Sequence, residues 1–230
     1  VPIPGATNTS LSFPSVQSSN VGFYSVTVSN AVTGIASASV LLNLTTYADP
    51  TWSGLAAYYP FNGNANDASG NAFNCANTGS AIHFTSNRFG DSNAAAYFDG
   101  SANSYLLTTN QFTIVGNQPR TISLWHMGGL ANGEQLIYWG NLSSGGALSG
   151  ITIGTNSTTA MHFILHGHYA DSEFSLANYV PNVWHNLTMV FSGNTASALC
   201  YLDGRSIPLI SSSGGGWNTA SGTFLCLGRD

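Results

Sequence analysis

The sequence predicts an all-β protein built as an antiparallel two-sheet sandwich. Short apolar and aromatic segments recur along its 230 residues, and clusters of glycine, asparagine and serine separate them. That is the pattern of many short strands joined by turns. No segment sustains an apolar period of 3.6 residues, so helices are not expected.

The first 46 residues predict a hairpin. Residues 21–30 alternate apolar and polar side chains, a turn follows at Thr33-Gly34, and a second strand is predicted over 36–44. The Gly-x-Tyr-x-Val-x-Val-x-Asn rhythm that starts at Gly22 resembles the last two strands of an immunoglobulin-like domain. The resemblance implies that Tyr24 occupies the position of the corner tyrosine in such domains. It implies that residues 1–46 are the C-terminal part of such a domain, with its other strands in sequence outside this chain.

Residues 47–53 are predicted to be a short linker that Pro50 stiffens. A jelly-roll domain is then expected over 54–230. Its predicted strands cover 55–61, 95–99, 105–108, 121–127, 135–139, 150–153, 161–166, 184–191, 198–202 and 224–227.

Two motifs in this region carry a family resemblance. YPFNG at 59–63 is followed by Asp67 and Ser69-Gly70-Asn71, and a later segment begins with WHN at 184–186 and reaches YLDG at 201–204. Together they resemble the laminin-G-like, concanavalin-A-like jelly-roll modules of secreted and cell-surface proteins. The resemblance implies that a last strand is missing after Asp230. The strand over 55–61 would then lack one partner, and its exposed edge would make the chain prone to association.

Composition excludes several functions. Charged residues are 6% of the chain, with four arginines, no lysine and a formal net charge of −5. Nucleic-acid binding needs a basic surface, and none is available here. No apolar run is long enough to span a membrane, so membrane insertion is not expected.

The loop over 62–71 is the predicted cation site. Asp67 supplies a carboxylate, and Asn62, Asn64 and Asn71 supply the amide oxygens that calcium accepts as ligands. The family resemblance implies a structural calcium near this loop. Weak binding is expected, because few further acids follow Phe98-Asp99-Gly100. The alternative is a loop that Asp67 closes as an Asx-turn without any ion.

Three histidines and one tryptophan are the candidate ligand-binding residues. On a strand over 161–168, His162, His166 and His168 would share one face. We interpret them as a polar strip on the exposed face of a sheet, where they would contact a sugar. His162 and His166 are too far apart on a strand to share one metal ion without a bulge. Only His166 and His168 could converge on one ion, and a zinc or copper site is the alternative to the sugar-binding strip. Trp217, beside a glycine-rich segment, is expected to be exposed, whereas His185 should point inward as a structural histidine.

Catalysis is not expected. The glutamates are Glu134 and Glu173, and Asp171 with Glu173 is the one close acidic pair, which a solvated loop explains equally well. Cys200 and Cys226 lie in late strands that could be neighbours. A disulfide is possible, but buried free thiols are favoured.

The favoured function is therefore non-catalytic recognition of a glycan or glycosylated surface by a secreted or cell-surface protein. A structural spacer or adhesin that makes only protein contacts is the first alternative. A glycoside hydrolase or lyase of the same superfamily is the weaker one.

Overall fold

The computed structural model describes residues 3–13, 20, 22–42, 54–77, 82–101, 104–129, 133–141, 147–155, 162–167, 170–176 and 178–229. The chain divides into two compact units, Val1–Gly54 and Leu55–Asp230. Across these described ranges, no helix has the length and apolarity needed to cross a membrane. The predicted all-β class is confirmed.

The first unit contains the predicted hairpin, although each of its strands is split in two. The strands are β1 Gly22–Tyr24, β2 Thr27–Ser29, β3 Gly34–Ala36 and β4 Val40–Leu42. β2 pairs with β3 and β1 with β4, all antiparallel. Between the two ladders, the Val26 N–H donates to Ser37 Oγ at 3.1 Å and the Ser37 N–H donates to the Val26 carbonyl at 2.8 Å.

Tyr24 anchors the entrance to this hairpin. Its hydroxyl donates to the Asn20 carbonyl at 2.6 Å, and Phe13 packs edge-on against its ring at 5.7 Å. A hydroxyl that returns to the backbone a few residues upstream is what a tyrosine corner does. The immunoglobulin-like assignment of this unit stays a prediction from the sequence.

Fourteen further strands are described in the second unit. They are β5 Cys75–Asn77, β6 His83–Thr85, β7 Ala95–Tyr97, β8 Leu106–Thr108, β9 Arg120–His126, β10 Glu134–Gly140, β11 Leu148–Gly154, β12 His162–His166, β13 Ser172–Ser175, β14 His185–Phe191, β15 Leu199–Leu202, β16 Arg205–Ile207, β17 Leu209–Ser212 and β18 Cys226–Arg229.

These strands form two main antiparallel sheets. The larger sheet has the order β17-β13-β12-β11-β10-β18-β8-β5, and the smaller one has the order β16-β15-β14-β9. β6 and β7 make a separate hairpin. Nine of the predicted strands are present with shifted ends, and β5, β6, β13, β16 and β17 were not predicted.

The core forms where the two sheets face each other. β14 alternates strictly, with Leu187, Met189 and Phe191 buried and the residues between them half-buried. Ile151, Ile153, Phe163, Leu165 and Phe174 are buried on the larger sheet and belong to the same cluster. The pleat of a strand, which sends successive side chains to opposite faces, produces this pattern.

The predicted strand over 55–61 is wrong, because residues 55–61 form no strand. Side chains from the next loop bind this backbone instead. The Tyr58 N–H donates to Asp67, and Asn71 Nδ2 donates to the carbonyls of Leu55 and Ala56. Asx and Ser side chains compete with sheet ladders for backbone groups in this way. The expected unpaired strand edge, and association through it, therefore lose their basis.

The three cysteines are free thiols, and Cys200 and Cys226 are buried, as favoured from the sequence. Their expected proximity is wrong. Cys200 lies on β15 in the smaller sheet, whereas Cys226 lies on β18 in the larger one. Burial raises the pKa of Cys200 to about 12, so this thiol remains protonated and behaves as a small apolar side chain.

Candidate functional site

The first histidine of the predicted strip, His162, is not exposed. His162 is buried, and its Nδ1 lies 3.1 Å from Oε2 of Glu173, which is also buried. His166 lies on the same strand, but its side chain is outside the described residues, as is all of His168. Ligand binding by these histidines stays a prediction.

The acidic pair is not a solvated loop. Asp171 and Glu173 are 5% and 2% exposed, and Glu173 belongs to β13. Asp171 Oδ1 accepts the Gly167 N–H at 2.7 Å, while Glu173 faces His162. Both carboxyl groups are thus committed to contacts inside the protein.

Trp217 is buried rather than exposed. It is 2% accessible, its ring stacks on Phe191 at 4.1 Å between centroids, and its Nε1 donates to the Ala170 carbonyl at 2.6 Å. It therefore cannot offer a stacking surface to a sugar in this conformation.

The same end of the sandwich contains a buried arginine that sequence reasoning missed. Arg120, at the start of β9, is 9% exposed. Its Nη2 donates to the Gly116 carbonyl at 2.8 Å, its Nη1 to Thr219 Oγ1 at 3.0 Å and its Nε to the Gln118 carbonyl at 2.8 Å. A planar guanidinium can satisfy several acceptors at once, which an ammonium cannot do with the same geometry.

Aromatic rings surround this guanidinium. Its central carbon lies 5.5 Å from the ring centroids of Phe191 and Trp217 and 5.7 Å from that of Trp139. Rings at this distance attract a cation through their quadrupoles. Burial lowers the pKa of Arg120 to about 10, which still leaves it charged at neutral pH.

Arg120 braces the floor of an open cleft of about 460 Å³. Gly116 and Thr219, which it binds, also pair with each other through two backbone hydrogen bonds. We call this site the loop cleft, and its lining residues are Val115, Gly116, Asn141, Ala147, Asn218, Thr219, Ala220 and Ser221. Asn141, Asn218 and Ser221 are exposed residues of this lining, and none of the lining residues that the structure describes is charged.

The opposite end of the sandwich holds a titratable cluster of Tyr179, His126 and Glu134. Tyr179 Oη lies 3.1 Å from His126 Nδ1, and His126 Nε2 lies 3.5 Å from Glu134 Oε1. Burial raises the pKa of Tyr179 to about 12, and the charge of Glu134 acts in the same direction. The Tyr179 hydroxyl therefore stays protonated near neutral pH and has no phenolate form available to act as a general base. The cluster ties the loop before β14 to β9.

His185 points inward and is hydrogen-bonded, as predicted. Its Nδ1 lies 2.7 Å from Asp203 Oδ2, and its Nε2 accepts the Val180 N–H at 3.1 Å. Burial would raise the pKa of Asp203. The hydrogen bonds from His185 and Asn186, together with the positive charge of Arg205, outweigh that effect and hold the pKa of Asp203 below its ordinary value.

The Asp67 carboxylate organises the predicted calcium loop through hydrogen bonds. Oδ1 accepts the N–H groups of Tyr58 and Ser69, both at 2.9 Å, and Oδ2 accepts the Ser69 hydroxyl at 2.8 Å and the Phe73 N–H at 3.0 Å. Two donors on each oxygen saturate a carboxylate. Nearby, Asn64 Oδ1 accepts the Asn66 N–H at 2.9 Å.

This donor set does not fit a calcium ion in the arrangement described. A calcium ion needs six to eight oxygens, whereas Asp67 is saturated and Asn71 turns its Nδ2 toward backbone carbonyls. The Asn62 carbonyl accepts a bond from Asn64 Nδ2 at 3.1 Å. Within the described residues, no group of three or more His, Cys, Asp or Glu side chains is placed to hold a metal. The geometry favours the Asx-turn alternative, and calcium at this loop stays a prediction.

A pH series on Asp67→Asn separates the role of the carboxylate from that of an ion. Burial would raise the pKa of Asp67, but the hydrogen bonds from Tyr58, Ser69 and Phe73 lower it below the ordinary value. A carboxyl group with a depressed folded-state pKa stabilises the protein above its unfolded pKa of about 3.9 and loses that contribution as the pH falls through the folded pKa. At pH 7 we expect the variant to lose about 1–3 kcal/mol, the cost of unsatisfied donors.

This difference between wild type and variant should shrink as the pH falls below about 4. Thermal melts across pH 2–8, each with millimolar calcium and with chelator, measure it. Superimposed wild-type curves with and without calcium would leave Asp67 as the residue that closes an Asx-turn. A rise in the melting temperature with calcium that Asp67→Asn abolishes would restore the ion site.

The fold of the second unit was compared with those of known proteins. A search of curated proteins found no match. Among solved structures, domain 4 of AbnA, a GH43 extracellular arabinanase from Geobacillus stearothermophilus in complex with arabinotriose, is similar. It shares 16% identity with a TM-score of 0.55, over 76% of this chain and 83% of that one. The alginate lyase AlgAT5 of polysaccharide lyase family 7 matches at 14% identity and a TM-score of 0.35, over 64% and 68%.

A family model matches the second unit directly. It is the Laminin_G_3 model, described as the concanavalin A-like lectin/glucanases superfamily, and it covers residues 99–230, more than half of the chain. The expected resemblance is therefore confirmed on sequence, and the two-sheet antiparallel architecture agrees with it. This chain belongs to the concanavalin A-like lectin/glucanase superfamily.

Proposed function

We propose that the second unit is a non-catalytic carbohydrate-recognition module that binds a neutral oligosaccharide in the loop cleft. The observation that carries the proposal is the chemistry of the cleft wall, where the exposed residues Asn141, Asn218 and Ser221 line a volume of about 460 Å³ whose described lining carries no charge. Ligand sites commonly have volumes of 300–1,000 Å³ and fix their ligands with a few placed polar groups. Amides and hydroxyls suit the hydroxyl groups of a sugar, because each can both donate and accept.

The brace beneath the cleft supports the same function. Arg120 holds Gly116 and Thr219 from below, so the cleft floor is fixed before a ligand arrives. Preorganisation reduces the entropic cost of binding. A structural neighbour of this fold was determined in complex with arabinotriose, which makes a neutral pentose oligomer a reasonable first probe.

The carboxyl groups support a binding role over a hydrolytic one. A glycosidase needs two carboxyl groups about 5–10 Å apart on either side of the scissile bond. None of the described residues that line the loop cleft is acidic, and Asp171 and Glu173 are buried away from solvent. Secretion or display at a cell surface is part of this proposal. The similar arabinanase is described as extracellular, and the sparse charge of this chain fits such a role.

Asn141→Ala/Asn218→Ala is the variant that tests the loop cleft. Calorimetric titration with arabinotriose and a panel of neutral oligosaccharides should show binding by the wild type and a loss of about tenfold or more in the double variant. The reason is that two hydrogen bonds of roughly 1 kcal/mol each are removed. Asn8→Ala, an exposed asparagine of the first unit, is the matched control and should leave affinity unchanged.

If the double variant and the wild type bind with equal affinity, the oligosaccharide does not bind in the loop cleft. A wild type that binds no neutral glycan would remove the proposed function itself. The same samples should release no reducing ends from polysaccharide. Turnover that Glu173→Gln abolishes would instead support the hydrolase alternative.

A further inference from the structure

The outer face of the smaller sheet carries a polar ladder that the loop cleft does not use. Trp125 pairs in register with Asn186, and Ser123 pairs with Thr188, which in turn pairs with Tyr201. Their side chains alternate with buried core residues, so they lie on the face turned away from the other sheet. We call these five residues the Trp125 face.

Hydrogen bonds order this face before any ligand is present. Ser123 Oγ and Thr188 Oγ1 are 2.8 Å apart, and Thr188 Oγ1 donates to Asn186 Oδ1 at 3.2 Å. The Asn186 amide nitrogen donates to the Leu124 carbonyl at 3.3 Å. Hydroxyl and amide groups are thus held in fixed positions beside Trp125, which remains 44% exposed.

An arginine lies against the tryptophan of this face. The Arg88 guanidinium carbon is 4.2 Å from the ring centroid of Trp125 and 4.1 Å from that of Phe89, which is 73% exposed. The tight turn that carries it is fixed by Asn87, whose Oδ1 accepts the N–H groups of Phe89 and Asp91. Asn87 Nδ2 also donates to Asp91 Oδ2 at 3.0 Å, which occupies the nearest carboxylate of the turn.

Contacts with the Trp125 and Phe89 rings hold the Arg88 guanidinium beside the Trp125 face. Among the residues that the structure describes, none makes a hydrogen bond or ion pair with Arg88. The side chain is exposed, in a chain with only four basic residues and a net charge of −5. A planar guanidinium held in this way is suited to bidentate contact with a carboxylate.

We propose that the Trp125 face is a second carbohydrate-binding surface, and that its ligand is an acidic polysaccharide containing uronic acid residues. Arg88 binds the uronate carboxylate, and the ring surfaces of Trp125 and Phe89 that Arg88 leaves uncovered contact the sugar. The Ser123–Asn186–Thr188 ladder bonds to hydroxyl groups. The positive charge of Arg88 at this exposed position favours an anionic ligand over a neutral one. The carboxylate is therefore the part of the ligand that the surface selects.

This surface is separate from the loop cleft. Arg120 beneath the cleft and Trp125 lie five residues apart on β9, which is roughly 16 Å along an extended strand. The two sites therefore call for different ligands and can be tested independently on the full 230-residue chain.

Polygalacturonate oligomers are the probe, with their methyl esters as the uncharged counterpart. In titrations at low salt the wild type should bind the acid form, and Arg88→Ala should weaken this binding about tenfold or more through loss of a charge-assisted pair. Arg88→Lys keeps the charge without the planar fork and should be intermediate. Binding of the acid should also weaken with added salt, since the contact is exposed.

Arg205→Ala is the matched control, because it removes another exposed arginine, from β16 at the edge of the same sheet. It should bind polygalacturonate as the wild type does, and Arg88→Ala should retain all binding of neutral oligosaccharides in the loop cleft. A wild type that prefers the methyl ester, or equal losses in Arg88→Ala and Arg205→Ala, would overturn the proposal. Arg88-dependent self-association without polysaccharide binding, seen by size-exclusion chromatography, would assign the face to a protein contact instead.

Discussion

Arg120→Ala should lower the free energy of unfolding by about 3 kcal/mol and abolish ligand binding in the loop cleft. The substitution removes three donors at once, so the Gln118 carbonyl and the Thr219 hydroxyl lose their Arg120 partner. The Gly116 carbonyl keeps only its bond from the Thr219 N–H. A buried polar group left unsatisfied, as the Thr219 hydroxyl would be, costs about 1–3 kcal/mol. The Gly116 and Gln118 carbonyls are more accessible to water and add less, and the lost packing of the buried Arg120 side chain adds to the total. The cleft should fail as well, because Gly116 and Thr219 form its floor.

Urea unfolding followed by tryptophan fluorescence measures this effect. Four of the five tryptophans belong to the second unit, so the signal reports mainly on the sandwich. Arg120→Lys keeps the charge among the aromatic rings but cannot reach all three acceptors, and it should lose about half as much stability. Arg205→Ala, at an exposed arginine, should change the free energy of unfolding by less than about 0.5 kcal/mol. If Arg120→Ala is as stable as Arg205→Ala, the hydrogen bonds from Arg120 to Gly116, Gln118 and Thr219 do not stabilise the protein.

The sequence predicted the fold class well because local alternation controls it. The residues of β14, from His185 to Phe191, alternate without exception between inward and outward positions, and the period of two is visible in the sequence alone. His185 was placed inward for that reason, and its hydrogen bonds to Asp203 and Val180 confirm that position.

The candidate site was harder to predict because its contacts connect distant parts of the chain. Arg120 donates a hydrogen bond to Thr219, 99 positions away in the sequence, and no local sequence pattern predicts that pair. One signal was available in the sequence. Arg120 shares the inward parity of Ile122 and Leu124 on β9, and a charge at a core-facing position needs partners.

The prediction of a strand over 55–61 was wrong for a different reason. Its alternation is typical of a strand, yet the Asp67 and Asn71 side chains occupy backbone groups that a neighbouring strand would have used. Side-chain competition of this kind depends on where the loop folds back. Periodicity in the segment itself contains no information about that return.

Trp217 shows how composition can mislead about exposure. Three consecutive glycines, 214–216, precede it, and glycine-rich sequence usually indicates a surface loop. The indole instead reaches back 47 positions to the Ala170 carbonyl and stacks on Phe191 with an angle of 10° between the rings. It also lies 5.5 Å from the Arg120 guanidinium, so the loop is held down by the side chain at its end.

Trp217→Ala should therefore destabilise the sandwich by about 3–5 kcal/mol, the usual cost of removing a large buried aromatic side chain. Trp217→Phe should keep the stacking on Phe191 and lose only the bond to the Ala170 carbonyl, at about 1 kcal/mol. Trp125→Ala makes the same chemical change at a tryptophan that is 44% exposed, and it should cost less than about 1.5 kcal/mol. Urea unfolding of the three variants gives the ranking. If Trp217→Ala costs no more than Trp125→Ala, Trp217 is exposed in solution, as the glycine-rich sequence had indicated.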